Sequence, residues 1–405
     1  MHVGLFTDSY LPRTSGVVRA VAESAQQLRA RGHRVSIIAP AYPGYQDRDP
    51  EVVRVPSVTP PGHPDFPLAV PYPSRSLRTV RSLGLDLVHS QSPFLVGGMG
   101  WWVARGLGRP VLFTYHTRYA DYAHYTPVLG DLARPLVSAY TIAYCNRCDC
   151  VLAPVPSIAA LLRESGVRTR IAVVPSMGID VAAFTPGAAS DGRSSAADTR
   201  SASAIRARFG LPPGASLLVF VGRLAREKNV PLLLAALETL PADVWLLLVG
   251  DGPERALLDA EARRRGIGAR TVFAGTQTPA AVADVLAAAD LFVFPSMTET
   301  LGLAVLEAMA AGCAIVAVQA PASSDLLRDG VTGRLVPPDA RAFADAVRDL
   351  LAAPARRGAI GRAAREGAAD YDRGRVTDRL VAVYQDLLAH PGTPDPVPTG
   401  GRTCG

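Results

Sequence analysis

The chain has 405 residues, of which 48% are hydrophobic and 19% charged; this length predicts two α/β domains and this composition excludes large-scale disorder. No window approaches about 18 uninterrupted apolar residues, so a membrane-spanning helix is not expected. The net charge is +6, and its basic excess lies in residues 1–175, which carry 18 Lys and Arg against 11 Asp and Glu; this excess favours either attraction to anionic lipids or nucleic acid, or solubility alone.

The first half of the chain alternates between strand and helix patterns. HVGLFTD predicts a strand, VVRAVAESAQQLRARG a helix that ends at a glycine, and RVSIIAP the next strand. LDLVHSQ, PVLFTYH, CVLAPV and IAVVPSMGID continue the strand series. Such an opening is the first unit of a doubly wound parallel sheet, whose ligands meet the loops at the carboxyl ends of its strands. Residues 1–175 are therefore predicted to form an N-terminal Rossmann-like domain.

The second half repeats this α/β pattern after a polar tract. Gly187 to Ser203 is rich in Gly, Ser, Ala and Asp and predicts a flexible insertion near the domain junction. LLVFVGRL, VWLLLVGDGP, RTVFAG, LFVFPS and AIVAVQA then predict strands of a second Rossmann-like domain, residues 176–371. Residues 372–390 predict a C-terminal helix that packs back on the first domain, and the Pro/Gly-rich residues 391–405 predict a disordered tail.

The cysteines and several absent motifs exclude other classes of protein. The chain has five cysteines, Cys145, Cys148, Cys150, Cys313 and Cys404, which are predicted to be reduced. The first three are closely spaced, but no fourth metal ligand follows nearby, which favours buried or incidental thiols over a metal site. The single D-x-D, Asp47 to Asp49, lies in a predicted loop. G-x-G-x-x-G, P-loop, G-x-S-x-G and H-E-x-x-H motifs are lacking, and the arginines are scattered, which argues against nucleic-acid binding. Residues 1–16 lack the features of a secretion signal, so a cytoplasmic location is expected.

The window Leu291 to Ala317 carries the strongest functional signal. It predicts a buried strand, a short loop and a helix that begins near Thr300, with Glu299 and Glu307 about two helical turns apart. Acids at this separation could hold different parts of one extended ligand. The N–H groups at the start of the helix could face an anion; the residues concerned are Thr300, Leu301, Gly302 and Leu303.

Two segments resemble motifs of the family-four retaining glycosyltransferases of GT-B architecture. FPSMTETLGLAVLEAMAAG is similar to the Glu-x7-Glu signature of that family, and the resemblance implies that Glu299 holds hydroxyls of the donor sugar and that Glu307 binds the ribose. VGRLAREKNVPLLLAAL resembles the GRL-x2-EKN segment, which implies that Arg223 and Lys228 contact the donor pyrophosphate. By itself this second segment is also typical of a solvated basic loop with surface ion pairs.

Further segments resemble the family less specifically. In VGDGPER, Gly250 gives a sharp turn that is either steric or donor-binding, and FAGTQ with Thr276 is similar to the loop that meets the nucleobase. TDSYLPRTSGV resembles the opening loop, with Gly16 near the donor phosphate. His116 in LFTYHTRYADY corresponds to a histidine near the anomeric carbon, although a lone histidine is also often structural. The aromatic run Tyr115 to Tyr125 either shapes an acceptor site or packs internally.

The resemblance implies a GT-B fold of two Rossmann-like domains, each a doubly wound parallel sheet, that face a central cleft. It implies a retaining transfer of a hexose from a UDP- or GDP-linked donor to an acceptor. The acceptor is expected to be a membrane lipid such as diacylglycerol or a glycolipid, which would place the protein at the inner face of the membrane. No cofactor or metal is expected, and the catalytic set is His116, Arg223, Lys228 and Glu299. A soluble or polysaccharide acceptor, a sugar-nucleotide epimerase and an inactive nucleotide-sugar-binding protein are the alternatives.

Overall fold

The computed structural model describes residues 1–13, 15–60, 67–70, 74–119, 134–184 and 202–390. By its internal contacts the chain divides into two compact units. The first unit consists of Met1–Met177 together with the chain from Val376 onward, and the second of Gly178–Arg375.

The first unit is built on a seven-stranded parallel sheet. The order of the strands across the sheet is β3-β2-β1-β6-β7-β8-β9, so the chain reverses its direction of travel between β1 and β6. The strands are β1 (His2–Phe6), β2 (Arg34–Pro40), β3 (Val52–Val55), β6 (Leu87–Ser90), β7 (Val111–Thr114), β8 (Cys150–Ala153) and β9 (Ile171–Val173), and a separate antiparallel pair is formed by β4 (Ser57–Val58) and β5 (Leu68–Ala69). The helices are α1 (Gly16–Ala30), α2 (Ser74–Arg81), α3 (Leu95–Leu107), α4 (Arg134–Cys145) and α5 (Pro156–Glu164).

The second unit is built on a six-stranded parallel sheet of order β12-β11-β10-β13-β14-β15. Its strands are β10 (Ser216–Val221), β11 (Val244–Val249), β12 (Thr271–Gly275), β13 (Leu291–Phe294), β14 (Ile315–Val318) and β15 (Arg334–Val336). Its helices are α6 (Val181–Phe184), α7 (Ala202–Arg208), α8 (Val230–Thr239), α9 (Arg255–Arg264), α10 (Pro279–Ala288), α11 (Leu303–Ala311), α12 (Pro321–Leu326), α13 (Ala340–Ala352) and α14 (Pro354–Ala368), and α15 (Arg373–Ala389) continues from it into the first unit. These two parallel, doubly wound sheets confirm the predicted fold class.

Several central strands are buried along their whole length, as their largely apolar sequences predict. Every residue of β1, β7, β13 and β14 is buried, as in parallel strands covered on both faces. The registers of β1 with β2 and β6 place Leu5 opposite Ile37 and His89. Polar side chains collect where these strands end, at the carboxyl edge of each sheet.

The C-terminal helix α15 contributes one face to the core of the first unit. Val376, Leu380, Tyr384 and Leu387 are buried and pack in the same cluster as Leu5 and other residues of β1 and β2. Their spacing places them on one side of a helix.

The two ends of the second unit also meet, because the backbone N–H of Ile179 donates to Tyr371 O and that of Arg373 donates to Ile179 O, both at 2.9 Å.

Two predicted segments fall largely outside the described chain. Of the tract from Gly187 to Ser203, only Ala202 and Ser203 are described, and they open α7. The predicted insertion is therefore too long at this end, because the sequence ASAIRAR consists mostly of good helix formers. The predicted tail 391–405 lies outside the described residues.

Candidate active site

The carboxyl edge of the second sheet gathers most of the residues that the sequence singled out. Strands β12, β11, β10 and β13 are consecutive neighbours, and each is followed at once by a loop with a predicted site residue. These residues are Thr276 after β12, Gly250 after β11, Arg223 and Lys228 after β10, and Glu299 after β13. The chain reverses direction between β10 and β13, and ligands of open α/β sheets bind at such a switch point.

At this switch point Lys228 and Glu299 form an ion pair. Lys228 closes a short 3₁₀ turn (Arg226–Lys228), and its Nζ atom donates to Oε1 of Glu299. The two side chains are 18% and 19% exposed, so the pair is largely shielded but open to a ligand. Arg223 is exposed and forms no ion pair with any described residue. Two cations and one carboxylate therefore stand at the ends of two adjacent strands.

Ser296 fixes this carboxylate, and the sequence did not identify it. Ser296 is 1% exposed, and its hydroxyl lies 3.0 Å from Glu299 Oε1 and 3.3 Å from the backbone oxygen of Glu227. Thr298 also donates to Glu227 O, at 3.4 Å. These bonds connect the loop after β13 to the loop after β10. A serine two residues beyond a buried strand is the only sequence signal for this role.

The helix after β13 starts later than predicted. It begins at Leu303 rather than near Thr300, and Glu299 belongs to the preceding loop, so Glu299 and Glu307 do not bracket its first two turns. The reason is Gly302, which caps the helix in a left-handed conformation with φ of 77°, and such a conformation interrupts helical geometry. Only Leu303 of the predicted anion-facing group is helical. Glu307 lies in the second turn and is 6% exposed.

Gly250 has a steric role within the second unit. Its φ is +132°, and a Cβ built there would lie 2.0 Å from the backbone oxygen of Gly222. Its N–H donates to Gly275 O at 2.9 Å, which joins the ends of β11 and β12. The close approach of the Gly222 and Gly250 backbones therefore leaves no space for a side chain.

We expect Gly250→Ala to lower the free energy of unfolding by about 3 kcal/mol, because it adds a backbone clash to an unfavourable φ. Gly266→Ala is the matched control: φ is +72° there, but its Cβ would meet nothing within 4 Å. The control should cost only about 1–2 kcal/mol. Urea unfolding measures both, and equal losses would contradict the steric role.

The carboxyl edge of the first sheet carries the other two predicted residues. Gly16 is the first residue of α1, which Ser15 caps by accepting from Val18 N at 3.2 Å. A Cβ on Gly16 would meet nothing within 4 Å, so no contact within the unit requires glycine. Helix α1 thus begins at Gly16, one residue before the helix that the sequence predicted.

His116 follows β7, and its Nε2 atom lies 2.6 Å from Oε1 of Gln91, at the end of the neighbouring strand β6. Burial lowers the pKa of His116 to about 4, so the ring is uncharged at neutral pH. Gln91 is 2% exposed, and its Nε2 atom donates to no described residue. The sequence did not single out Gln91. If its Oε1 accepts, the proton of His116 is on Nε2.

Asp8 is a further acid that the sequence did not select. Its Oδ2 lies 2.5 Å from Ser92 Oγ, and its Oδ1 accepts from Val96 N at 2.7 Å. Burial raises the pKa of this carboxyl. Because it follows β1 and binds the start of α3, Asp8 fastens the two loops at the switch point of the first sheet. Its only sequence signal is an acid two residues beyond a buried strand.

The remaining predicted features have structural partners. Asp47 and Asp49 of the D-x-D form ion pairs with Arg54 and Arg29 at 2.7 and 2.6 Å. The four described cysteines are buried and none of them is in a disulfide; burial raises the pKa of Cys145 to about 12. Within the described residues no group of three or more His, Cys, Asp or Glu could hold a metal. None of the described helices is both long and apolar enough to cross a bilayer.

Solved structures share the fold of this chain. A sucrose-phosphate synthase from Thermosynechococcus elongatus superposes with a TM-score of 0.74 at 23% identity, covering 96% of this chain and 99% of that one. The Anabaena protein Alr3699/HepE in complex with UDP gives a TM-score of 0.76 at 19% identity, covering 96% and 100%. The fold is thus that of the GT-B glycosyltransferases.

Sequence comparison then gives the family. Residues 14–183 match Glycosyltransferase Family 4, and residues 201–367 match Glycosyl transferases group 1. The chain is 31% identical over 340 residues to an alpha-monoglucosyldiacylglycerol synthase of Streptococcus pneumoniae, covering 83% of this chain and 75% of that protein. It is 34% identical over 398 residues to a GDP-mannose-dependent alpha-mannosyltransferase of Mycolicibacterium smegmatis, covering 96% and 98%. The chain therefore belongs to the family-four, group-1 glycosyltransferases and is a glycosyltransferase.

Proposed function

We propose that the protein transfers a hexose, with retention of anomeric configuration, from a UDP- or GDP-linked donor to a hydroxyl group of a membrane lipid such as diacylglycerol or a glycolipid. The observation that carries the proposal is the Lys228–Glu299 pair at the switch point of the second sheet, together with the exposed Arg223 that follows the same strand as Lys228. The names of two relatives support the lipid acceptor and the nucleotide-linked donor: one is an alpha-monoglucosyldiacylglycerol synthase, and the other is a GDP-mannose-dependent alpha-mannosyltransferase.

The donor diphosphate is assigned to Arg223 and Lys228. The leaving nucleotide gains negative charge as the glycosidic bond breaks, and nearby cations stabilise that charge. His116 cannot supply this charge at neutral pH, because burial lowers its pKa to about 4. The first N–H groups of α11, beginning at Leu303, add positive potential at the same edge.

The sugar and nucleoside are assigned to the acids and loops around this cation pair. Glu299, held by Ser296, accepts hydrogen bonds from sugar hydroxyls when Lys228 turns to the diphosphate. Glu307 binds the ribose, and the backbone of the loop at Thr276 meets the base. On the first unit, His116 contacts the sugar near its anomeric carbon, and the start of α1 at Gly16 contacts a phosphate.

Retention is assigned to a front-face displacement. The bond between the anomeric carbon and the leaving phosphate oxygen breaks, and the bond to the acceptor oxygen forms on the same face. The acceptor proton passes to the leaving phosphate, so the products are the glycoside and the nucleoside diphosphate. Because Arg223 and Lys228 supply the compensating charge, the reaction is proposed to need no metal ion and should proceed in EDTA.

The experiment combines donor binding with product analysis. UDP-glucose, UDP-galactose and GDP-mannose are compared by thermal shift, and the stabilising donor is incubated with dioleoylglycerol or with a water-soluble acceptor. We expect one donor to raise the Tm and to give a lipid product whose anomeric configuration, read by NMR, matches that of the donor. Transfer only to the soluble acceptor would refute the lipid assignment. An epimerised sugar formed from donor alone would favour an epimerase, and inversion or a trapped glycosyl-enzyme ester would refute the displacement.

A further inference from the structure

The first unit carries an apolar groove outside the residues assigned to sugar transfer. Helices α3 and α4 and strand β5 enclose a cavity of about 500 Å³. Its walls are largely aromatic and aliphatic; the lining includes Leu68, Phe94, Leu95, Trp101, Trp102 and Tyr140, and we call it the aromatic groove.

Helix α3 exposes two large apolar side chains, whereas Val96, Met99 and Val103 on its other face are buried. Leu95 and Trp102 are 37% and 57% exposed, and their spacing of seven residues places them on one helical face. The inward face carries glycines that bring the helix close to the sheet: a Cβ on Gly97 would lie 1.7 Å from Ser92 O, and one on Gly100 would lie 2.8 Å from the Phe6 ring. An exposed apolar face of this kind marks an interaction surface.

Helix α4 and strand β5 form the opposite wall of the groove and add further exposed apolar side chains. On α4, Leu136 is 68% exposed, and Tyr140, one turn further on, stacks on Phe94 with ring centroids 5.9 Å apart. The Tyr140 hydroxyl donates to Pro93 O at 2.8 Å, which holds the ring at the groove. Leu68 on β5 is 54% exposed. The groove is therefore held open by packing and hydrogen bonding.

The rim of the groove is positively charged. Arg147 lines it, is exposed, and forms no ion pair with the described residues. Its guanidinium lies 5.8 Å from the Trp101 ring centroid, and that of Arg105 lies 5.7 Å from it. Only Arg105 has an acidic partner, Asp149 at 3.5 Å. An apolar groove with an uncompensated arginine at its edge complements a molecule with a hydrocarbon part and an anionic head.

We propose that the aromatic groove docks the protein on an anionic phospholipid bilayer, with the side chains of α3 and α4 in the acyl region and Arg147 against lipid phosphate. The inference rests on the proposed lipid acceptor and adds the surface by which the enzyme reaches it. Aromatic side chains with polar edges favour the membrane interface, and arginines next to them add attraction to anionic lipid. A second copy of this chain is the competing occupant.

Vesicle flotation tests the docking surface. Vesicles of phosphatidylcholine alone, and of phosphatidylcholine with phosphatidylglycerol, are mixed with the full chain and with the variants Trp102→Ser and Arg147→Gln. We expect the phosphatidylglycerol vesicles to bind the parent protein more tightly. Trp102→Ser should lower the partition coefficient about tenfold or more on both vesicles, and Arg147→Gln roughly fivefold on the anionic vesicles alone.

Matched controls lie on the second unit. Leu257 on α9 is 69% exposed, and Arg341 on α13 is exposed without an ion pair to any described residue; Leu257→Ser and Arg341→Gln should bind vesicles as the parent does. Equal losses in the controls, or no binding of the parent to anionic vesicles, would overturn the proposal. So would a dimer in sedimentation that Trp102→Ser dissociates without changing vesicle binding.

A transfer assay separates this inference from the proposed function. With a short-chain, water-soluble diacylglycerol the groove variants should keep the parent kcat/KM, whereas with vesicle-borne diacylglycerol they should lose activity in proportion to binding. Vesicle binding that depends on the groove, without transfer to any diacylglycerol, would refute the acceptor and retain the docking surface. Parent-like transfer from vesicles by Trp102→Ser would refute the docking surface and retain the acceptor.

Discussion

Replacing Lys228 by methionine is expected to lower kcat/KM for sugar transfer by about a hundred- to a thousandfold, with the fold retained. The magnitude is that for removing one preorganised group that stabilises developing charge. Lys228 is placed for this role because its ammonium already binds the Glu299 carboxylate at the switch point. When the donor binds, the Lys228 ammonium would leave the Glu299 carboxylate and bind the diphosphate instead. Glu299 could then accept hydrogen bonds from the sugar hydroxyls. Glu299→Gln should lose activity to a similar degree, since an amide accepts more weakly than a carboxylate.

The control for this prediction lies in the same 3₁₀ turn. Arg226 is exposed and its side chain makes no hydrogen bond or ion pair with the described residues, so Arg226→Gln removes a charge two residues away without touching the pair. It should keep kcat/KM within about threefold, because an exposed charge is screened by solvent. Thermal unfolding of all three variants verifies the fold. Parent-like turnover by Lys228→Met would refute the assignment.

The sequence offers a second measurement of the same site. Lys228 is the only lysine in the chain, so an amine-directed reagent such as pyridoxal phosphate with borohydride can modify only this side chain and the N-terminal amine. The nucleotide-sugar donor should protect Lys228 from modification, and peptide mass spectrometry locates the label. Unchanged labelling under saturating donor would place the diphosphate elsewhere, even if Lys228→Met loses activity.

The sequence predicted the strands of the two large sheets except β3 and β15, each of which lies at one edge of its sheet. Long apolar runs such as LLVFVGRL and VWLLLVGDGP mark β10 and β11 because buried parallel strands need such runs. Strands β3 and β15 have only four and three residues, and each includes a half-buried arginine, so their sequences lack this signal. Their pairing depends on the neighbouring strand rather than on their own composition.

The sequence could suggest the candidate residues, but it could not predict the contacts between them. Lys228 and Glu299 are separated by 71 positions, and they meet because β10 and β13 are neighbours, which local pattern does not determine. The later start of α11 depends on the positive φ of Gly302, which sequence permits but does not require. Gln91 and Ser296 were missed because an uncharged polar residue after a strand has many structural uses.

Histidine burial predicts a second large effect, on stability in acid. His89 lies within β6, and its ring nitrogens are 2.6 Å from Tyr384 Oη on α15 and 2.6 Å from Thr114 Oγ1 on β7. Burial lowers the pKa of His89 to about 3 and that of His116 to about 4. Each folded-state pKa is below the ordinary value of 6.5, so as the pH falls the unfolded chain is protonated at these two histidines before the folded protein is. The stability that the two neutral histidines contribute is therefore complete above pH 6.5 and is lost as the pH falls towards the folded-state pKa values.

We expect the free energy of unfolding to fall by about 4 kcal/mol between pH 8 and pH 5 from these two groups, at about 1.4 kcal/mol per pH unit for each once the pH is below 6.5. The lowered pKa of His2 acts in the same direction, and the raised pKa of Asp8 opposes it. Urea midpoints across this range give the number of protons taken up on unfolding. His89→Gln should reduce that number by about one. Tyr384→Phe should destabilise the protein by about 1–3 kcal/mol at pH 8, because it leaves a buried ring nitrogen unpaired, yet keep the parent's pH slope. An unchanged slope in His89→Gln would show that His89 is not held neutral by the fold.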